Sequence, residues 1–394
     1  MLSSLKPSPA DPILQIMAEF QADPRPNKID LGVGVYKDGE GLTVIPKAVK
    51  MAEARILESQ DTKSYLGLLG DVGFAGLMAD LVLDDTAPSD RVGAIQTAGG
   101  SGALYILMNL AREANPDATI WASTPTWGNH HAMAEGLGVK TRSYAYFDPK
   151  TRAVDVGRMM DDLKAAGPND IVLFHGCCHN PTGANLTLAD WERLTEMALA
   201  QGFLPMVDIA YQGFGDGLDE DAAGLRHMAA RVPEMLIATS CSKNFALYRD
   251  RTGCAIVVSG SAEAQVAAKA NLMTLMRITY SMPPDHGAAI VRTILTDPDL
   301  RKVWEDELTA MRTRMLSLRQ SLADAMRART NSDRFDFIAD HRGMFSLIGA
   351  TPEQVARLRD EFAIYIVGDS RLNIAGLREE RMDEIAEAFA AVGI

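Results

Sequence analysis

A lysine, two hydroxyl side chains and an arginine lie close together in the segment "LIATSCSKNFALYRDRTG", residues 236–253. Lys243 follows an apolar run, with Ser240 and Ser242 beside it and Arg251 eight positions further on. Hydroxyls and a guanidinium are good donors to a phosphate, and a lysine amine forms a Schiff base with an aldehyde. The spacing therefore fits a ligand that carries both groups, although an exposed lysine beside a salt-bridged arginine would give the same pattern.

A carboxylate elsewhere in the chain favours the first interpretation. Asp208 follows the apolar run "FLPMV", which we expect to form a strand buried on both faces. A buried carboxylate needs a positive partner, and a protonated pyridine nitrogen supplies one. Pyridoxal 5'-phosphate combines the pyridine, the aldehyde and the phosphate, so these residues favour it as the cofactor. A helix-capping role for Asp208 is the alternative.

Further candidate residues also follow apolar runs. They are the glycine-rich turn Gly99, Gly100, Ser101 and Gly102, then Trp127, Asn180, Tyr211, Arg277 and Arg371. A glycine turn that opens a helix attracts an anion, an indole stacks on a flat ring, and arginine binds carboxylates through two parallel hydrogen bonds. Taken singly, each residue also has a structural explanation, such as a tight turn, core packing or a salt bridge.

The arrangement of apolar runs predicts the fold that must position these residues. Between about residues 90 and 260, strand-like runs alternate with helical patterns, which is typical of a mostly parallel sheet covered by helices on both faces. Ligands bind at the carboxyl ends of such strands. We expect a large domain over 46–310, with 1–45 as an N-terminal arm and part of a small domain whose remainder is 311–394. One long helical stretch is expected from about 285 to 330.

The composition excludes some classes of protein. The 394 residues carry 39 Lys and Arg against 52 Asp and Glu, a formal net charge of −13, which argues against a nucleic-acid-binding surface. The first residues lack the apolar core of a secretory signal, and no run is long enough to span a membrane, so we expect a cytoplasmic protein. The four cysteines are expected to be reduced and mostly buried.

One group of residues superficially resembles a metal cluster: His175, Cys177, Cys178 and His179. If they lie on a strand, consecutive side chains point to opposite faces and do not converge on one tetrahedral ion. We therefore expect no metal.

Together these motifs resemble the class I, fold-type I pyridoxal-phosphate aminotransferases, within the aspartate and aromatic amino acid transaminase subgroup. The likeness covers nearly the whole chain, through "LGVGVYKD", "YLGLLG", "GGSGAL", "LFHGCCHNPTGANLTL", "DIAYQGFGDGLDEDAAGLR", "SCSKNFALYRDRTG", "YSMPPDHGA", "HRGMFS" and "DSRLNIAGL". It implies an α/β fold with a mostly parallel seven-stranded sheet in the large domain and a smaller α+β domain.

The resemblance also implies a role for each candidate residue. Lys243 becomes the Schiff-base lysine and proton carrier, Asp208 the pyridinium partner and Trp127 a third catalytic residue. The implied cofactor-binding residues are Tyr65 of the partner subunit, Gly100, Ser101, Trp127, Asn180, Asp208, Tyr211, Ser240, Ser242, Lys243 and Arg251. The implied substrate-binding residues are Gly34, Trp127, Asn180, Arg277 of the partner subunit and Arg371. His130 and His175 match positions behind the cofactor, and the shared site implies a homodimer.

The preferred substrate is read from the rim of this implied site. Ser64, Ser101 and Met282 depart from the aspartate-specific pattern toward a less polar or more adaptable rim, whereas Val35, Lys37 and Thr43 keep that pattern. We expect a transaminase that moves the amino group between aromatic amino acids, or aspartate, and 2-oxoglutarate. An aspartate-specific transaminase is the alternative, and a non-catalytic protein that binds the cofactor is a more distant one.

Overall fold

The computed structural model describes residues 2–7 and 12–394. They fall into two compact units. The small unit comprises the described residues up to Thr43, together with Pro181–Gly183 and Met315–Ile394. The large unit comprises Val44–Asn180 and Ala184–Arg314.

The strands, in chain order, are β1 (Ile29–Asp30), β2 (Val92–Ala98), β3 (Thr119–Thr124), β4 (Lys140–Ala145), β5 (Phe147–Asp148), β6 (Ala153–Val154), β7 (Asp170–His175), β8 (Leu204–Ile209), β9 (Met235–Ser240), β10 (Thr252–Val258), β11 (Phe345–Leu347), β12 (Ile364–Tyr365) and β13 (Arg371–Asn373).

The α-helices are α1 (Pro12–Ala22), α2 (Lys47–Ser59), α3 (Val72–Leu83), α4 (Gly99–Ala114), α5 (Asn129–Gly136), α6 (Val156–Leu163), α7 (Leu188–Gln201), α8 (Leu218–Ala229), α9 (Ala262–Thr279), α10 (Asp285–Thr296), α11 (Pro298–Thr330), α12 (Phe337–Asp340), α13 (Pro352–Phe362) and α14 (Met382–Ala391). Short 3-10 helices cover Leu2–Ser4, Ser89–Arg91, Ile374–Gly376 and Glu379–Arg381. Over the described residues, none of the helices is long and apolar enough to cross a membrane.

The large unit is built on a seven-stranded sheet in the order β2-β10-β9-β8-β7-β3-β4. Strand β10 is antiparallel to both of its neighbours. The strands from β9 to β4 run parallel to one another. The α/β fold with a mostly parallel seven-stranded sheet is therefore confirmed.

Burial explains why the central strands form. The apolar runs that become β8 and β9 are almost entirely buried, as expected for parallel strands covered on both faces. Helix α4 packs an apolar stripe, including Leu104 and Leu107, into the core that Ile171 and Leu173 of β7 also join. The core thus fixes where each strand ends, and the polar residues that follow the strands are held at one edge of the sheet.

The predicted long helix from about 285 to 330 is two helices. Helix α10 ends at Thr296 and α11 begins at Pro298. Proline has no backbone N–H to donate within a helix but is well suited to a first helical position. The Asp297 carboxylate accepts hydrogen bonds from the backbone N–H of Asp299 (3.0 Å) and Leu300 (2.9 Å), so a new helix begins there.

The small unit has its own apolar core. It is formed by residues from α11, α13 and α14 together with the short strands, for example Leu322, Leu358, Ile364 and Phe389. Strand β1 pairs parallel with β12, and β11 pairs antiparallel with β13. These pairings place Arg371, the first residue of β13, opposite Leu347 of β11.

Candidate active site

The start of helix α4 and the end of β9 form a cradle of donors in the large unit. Gly99 has a left-handed backbone (φ 74°), and a Cβ there would lie 2.6 Å from Nη2 of Arg251. A Cβ on Gly100 would lie 2.9 Å from the Cβ of Ser240. Glycine is the residue that permits both the backbone angle and the close approach. Helix N–H groups, a serine and a guanidinium therefore converge at one place.

The arginine of this cradle is anchored by short contacts. Arg251 Nη1 donates to Ser242 Oγ (3.3 Å) and to the carbonyl oxygen of Tyr248 (3.2 Å). The backbone N–H of Ser242 donates to Ser240 Oγ (3.2 Å). Both serines are buried. Free helix N–H groups and a guanidinium at one point make an anion site that suits a phosphate.

Lys243 lies beside this cradle and above an aromatic ring. Its Nζ is 4.8 Å from the centroid of the Tyr211 ring. Tyr211 follows strand β8, which also carries Asp208, so the lysine, the tyrosine and the aspartate lie at the same edge of the sheet. An amine at an aromatic face, near a carboxylate, is well placed to react with a flat carbonyl compound bound there.

Asp208 is buried and hydrogen-bonded to a histidine. Its Oδ2 lies 3.1 Å from Nε2 of His130, whose side chain is fully buried. Burial on its own raises the pKa of the Asp208 carboxyl, but the hydrogen bond from His130 and the surrounding charges, including Lys243, hold the pKa below its ordinary value. Asp208 is therefore an anion at neutral pH.

A chain of hydrogen bonds extends from Asp208 to the segment around Asn180. Thr126 Oγ1 lies 2.8 Å from Nδ1 of His130 and 3.1 Å from Nε2 of His175. At the far end, the backbone N–H of Asn180 donates to Nδ1 of His175 over 3.5 Å. Burial, together with the neighbouring His130, lowers the pKa of His175 to about 3, so its ring is neutral.

One arrangement of protons satisfies every one of these contacts. Because Nδ1 of His175 accepts from an amide, the proton of this neutral ring is on Nε2 and is donated to Thr126. The threonine hydroxyl then donates to Nδ1 of His130, and Nε2–H of His130 donates to the Asp208 carboxylate. Every hydrogen bond points toward Asp208. Sequence reasoning missed Thr126, since nothing in "TPTWGNH" marks this hydroxyl as the link between two histidines.

Two further predicted residues, Trp127 and Asn180, lie around this chain, and a third, Ser101, lies at the start of α4. The indole of Trp127 is partly buried and meets the ring of His130 edge-to-face, with 5.4 Å between centroids. Asn180 is buried and follows the strand that carries His175. Ser101 lies in the first turn of α4, next to Gly100.

Arg371 and Gly34 are both in the small unit and share one aromatic neighbour. The Arg371 guanidinium lies 4.3 Å from the centroid of the Phe345 ring, and its Nη2 donates to the carbonyl of Gly32 over 3.1 Å. A Cβ on Gly34 would lie 3.0 Å from Cζ of Phe345. Phe345 was missed from the sequence, although it lies inside the motif "HRGMFS". The ring packs against the guanidinium, and a planar guanidinium suits recognition of a carboxylate.

Tyr65 and Arg277 are at the surface of the large unit. The Tyr65 side chain is 90% exposed. Arg277, at the end of α9, is exposed and donates from Nη1 to Ser281 Oγ over 2.6 Å. Close to Tyr65, the backbone N–H of Leu66 donates to the Met282 sulfur over 3.3 Å.

The placement of His175, Cys177, Cys178 and His179 on one strand is wrong. Strand β7 ends at His175, and the residues after it are not in a strand. Cys177 and Cys178 group instead with Asp221, with ligand atoms within 4.8 Å of one another. The Asp221 carboxylate accepts three backbone N–H bonds, from Gly213, Gly215 and Asp216. His179 points elsewhere, to Ser123 Oγ at 3.0 Å. All four cysteines are free and buried.

Comparison with known proteins identifies the class of enzyme. The chain belongs to the family described as Aminotransferase class I and II, whose model matches residues 26–389. It is 52% identical over 394 residues to the Aromatic-amino-acid aminotransferase of Paracoccus denitrificans, with 100% of both chains covered. It is also 41% identical over 395 residues to the Aspartate aminotransferase of Escherichia coli (strain K12), again with 100% of both covered.

A solved structure agrees with this placement. An aromatic-amino-acid aminotransferase from Burkholderia pseudomallei, crystallised covalently bound to pyridoxal phosphate, superposes with a TM-score of 0.97 at 38% identity. The match covers 100% of this chain and 99% of the other. The family depends on pyridoxal phosphate.

The residues of the large unit fit that cofactor. The anion cradle around Gly99, Ser240 and Arg251 suits its phosphate, and the buried, ionised Asp208 suits a protonated ring nitrogen. Lys243 supplies the amine for its aldehyde.

Proposed function

We propose that this protein is an aromatic-amino-acid transaminase that also accepts aspartate and passes the amino group to 2-oxoglutarate. The observation that carries the choice of substrate is Met282, a residue of the implied rim, whose sulfur accepts the backbone N–H of Leu66 over 3.3 Å. A thioether at this position is apolar and adaptable, which favours a ring over a second carboxylate. The relative at 52% identity, an aromatic-amino-acid aminotransferase, supports the same choice.

The proposed mechanism assigns one task to each part of the site. Pyridoxal phosphate, when bound, supplies the electron-withdrawing ring that makes the α-proton of an amino acid acidic. Lys243 would hold the cofactor at its aldehyde, and once the substrate amino group displaces it there, its neutral amine would accept and donate the α-proton. Asp208 would favour a protonated ring nitrogen, because its ionised carboxylate can pair with that charge.

Binding is the task of the remaining residues. Gly100, Ser101, Ser240, Ser242 and Arg251 hold the phosphate. Asn180 and Tyr211 would bind the ring oxygen of the cofactor, and Trp127 offers an aromatic face to its ring. Arg371, whose guanidinium lies against the Phe345 ring, binds the α-carboxylate common to all amino acid and 2-oxo acid substrates. Gly34, which lies against the same ring, belongs to the same substrate-binding set.

We also propose that the protein is a homodimer in which Tyr65 and Arg277 complete the partner's site. Large apolar side chains are exposed on the same unit: Leu57 at 85%, Val72 at 65% and Ile278 at 71%. Association of two subunits would cover such side chains. Light scattering on the purified protein tests this, and a monomer would exclude it.

The test of substrate choice is a half-reaction without the second substrate. The holoenzyme is mixed with L-phenylalanine or L-aspartate, and the absorbance of the bound cofactor is followed. Comparable rates with both support the proposal. The control is Met282→Asn, which should slow phenylalanine relative to aspartate.

An aspartate-specific transaminase is the second candidate. Two of the aspartate-like residues are in ordered contacts, since Lys37 Nζ is 2.9 Å from Asp30 Oδ2 and Thr43 Oγ1 donates to the Tyr36 carbonyl over 3.1 Å. Conversion by aspartate alone would establish this candidate. Conversion by neither amino acid would exclude both and favour a non-catalytic protein.

A further inference from the structure

Arg319 lies inside the small unit. The side chain of Arg319, on helix α11, is fully buried. Its Nη2 donates to the carbonyl oxygens of Gly343 and Phe345, each over 2.8 Å. Its Nη1 donates to Ser346 Oγ over 2.8 Å and to the Ile338 carbonyl over 3.0 Å. A guanidinium stays charged in a protein, so this charge is stabilised by the dipoles of one short turn.

The surroundings show that packing alone does not call for an arginine here. Its neighbours on the same helix, Leu318 and Leu322, belong to the apolar core of the small unit. An apolar side chain would fill the same space without the cost of burying a charge. What the guanidinium adds is a set of directional hydrogen bonds, which fix the backbone of residues 342–346.

That turn supports Arg371, the residue proposed to bind substrate carboxylates. Phe345, whose carbonyl accepts from Arg319, presents its ring to the Arg371 guanidinium at 4.3 Å. The strand that starts at Phe345 pairs with the strand that starts at Arg371, with Phe345 opposite Asn373 and Leu347 opposite Arg371. A shift of the turn would therefore move both the ring and the paired strand.

The same turn also contacts the segment that follows Asn180. The backbone N–H of Arg342 donates to the carbonyl of Gly183 over 2.9 Å. A Cβ on Gly183 would lie 2.2 Å from the Phe345 carbonyl oxygen and 3.3 Å from Nη2 of Arg319. With φ 77° and no room for a side chain, Gly183 is packed directly against the arginine and its acceptor.

We propose that Arg319 is a positioning residue for carboxylate binding, acting through Phe345 on Arg371. The inference rests on the proposed role of Arg371 but not on which amino acid is preferred, because every amino acid and 2-oxo acid substrate carries the carboxylate. Losing the guanidinium leaves the turn without its donors, and Arg371 is then held less accurately. Small misplacements of a binding group have large effects on catalysis.

The test compares three variants of the holoenzyme. In Arg319→Met, KM for phenylalanine, aspartate and 2-oxoglutarate should rise together by about tenfold or more, with a smaller change in kcat. Arg319→Lys keeps the charge but has fewer fixed donors, so its KM should lie between. The control, Leu322→Ala, removes a buried apolar side chain from the same helix and should lower Tm while KM stays within twofold.

Each result has one meaning. A common rise of KM in Arg319→Met, absent from Leu322→Ala at equal loss of Tm, supports positioning. An unchanged KM with a lowered Tm shows that Arg319 only stabilises the fold and overturns the inference. If Arg319→Met does not fold, the same criteria apply to Arg319→Lys. A wild-type protein that converts no amino acid refutes the proposed function itself, which separates the two failures.

Discussion

The hydroxyl of Thr126 is a small group on which we expect the stability of the hydrogen-bond network at Asp208 to depend. In Thr126→Val the side chain keeps its shape but loses both hydrogen bonds, to His130 at 2.8 Å and to His175 at 3.1 Å. Each buried ring nitrogen left without a partner costs about 1–3 kcal/mol. His130 is 1% and His175 8% exposed, whereas Thr126 is half-buried, so water replaces part of the loss. We expect a destabilisation of about 2 kcal/mol, at the lower end of the summed range.

The assay has two readouts on the holoenzyme. Urea unfolding gives the change in apparent free energy, and proton NMR at low field reports the two ring N–H protons that the network holds, on Nε2 of His130 and of His175. In Thr126→Val the His175 proton loses its acceptor and should exchange too fast to be seen, while the His130 proton persists because Asp208 still accepts it.

The matched control is Thr126→Ser, which retains the hydroxyl. It should keep both resonances and lose less than about 1 kcal/mol, mainly from the deleted methyl group. Equal stability of the valine and serine variants, with both protons still visible in each, would refute the ordered chain.

Three other predictions address the rest of the site. The pKa of His175 is about 3 in the folded protein, against an ordinary 6.5 in the unfolded chain. Below pH 6.5 the unfolded chain therefore binds this proton while the folded protein does not, and the free energy of unfolding falls as pH falls. Between pH 7 and pH 5 in urea unfolding, His175→Gln should lose about 2 kcal/mol less of this free energy than the wild type. Gly99→Ala, which forces a side chain within 2.6 Å of Arg251 at φ 74°, should weaken cofactor binding on titration of the apoprotein; Gly136→Ala, with open space around it, is the control that should not. Lys243→Ala should remove turnover in a coupled transaminase assay while the protein still unfolds cooperatively, and residual turnover at the wild-type rate would exclude the lysine as proton carrier.

Much of the fold was predictable because burial on both faces leaves a simple pattern. The continuous apolar runs of β7, β8 and β9 identified parallel central strands, and polar residues that follow such strands must lie at one edge. On that ground Ser240, Arg251 and the turn at Gly99 were expected to gather, and the structure places them in contact.

What could not be predicted depends on side-chain geometry across long separations. The contact of Thr126 with His175 joins residues 49 positions apart, and no local pattern encodes which atom of an imidazole faces a hydroxyl. The buried Arg319 is equally hidden, because an arginine in a long helix is normally an exposed one. By contrast, the break at Pro298 was visible in the sequence and was overlooked.

The chain of hydrogen bonds that ends at Asp208 has a direction, and this prevents it from acting as a proton relay. A relay that carries protons must be able to reverse each of its bonds in turn. Here the donor at the end far from Asp208 is the backbone N–H of Asn180, which donates a hydrogen bond but does not accept one. The chain is thus locked from that end, and a proton that reaches Asp208 has no path out through the histidines. The network therefore anchors the charge of Asp208 instead of conducting protons to it, which keeps the carboxylate available to pair with a protonated ring nitrogen.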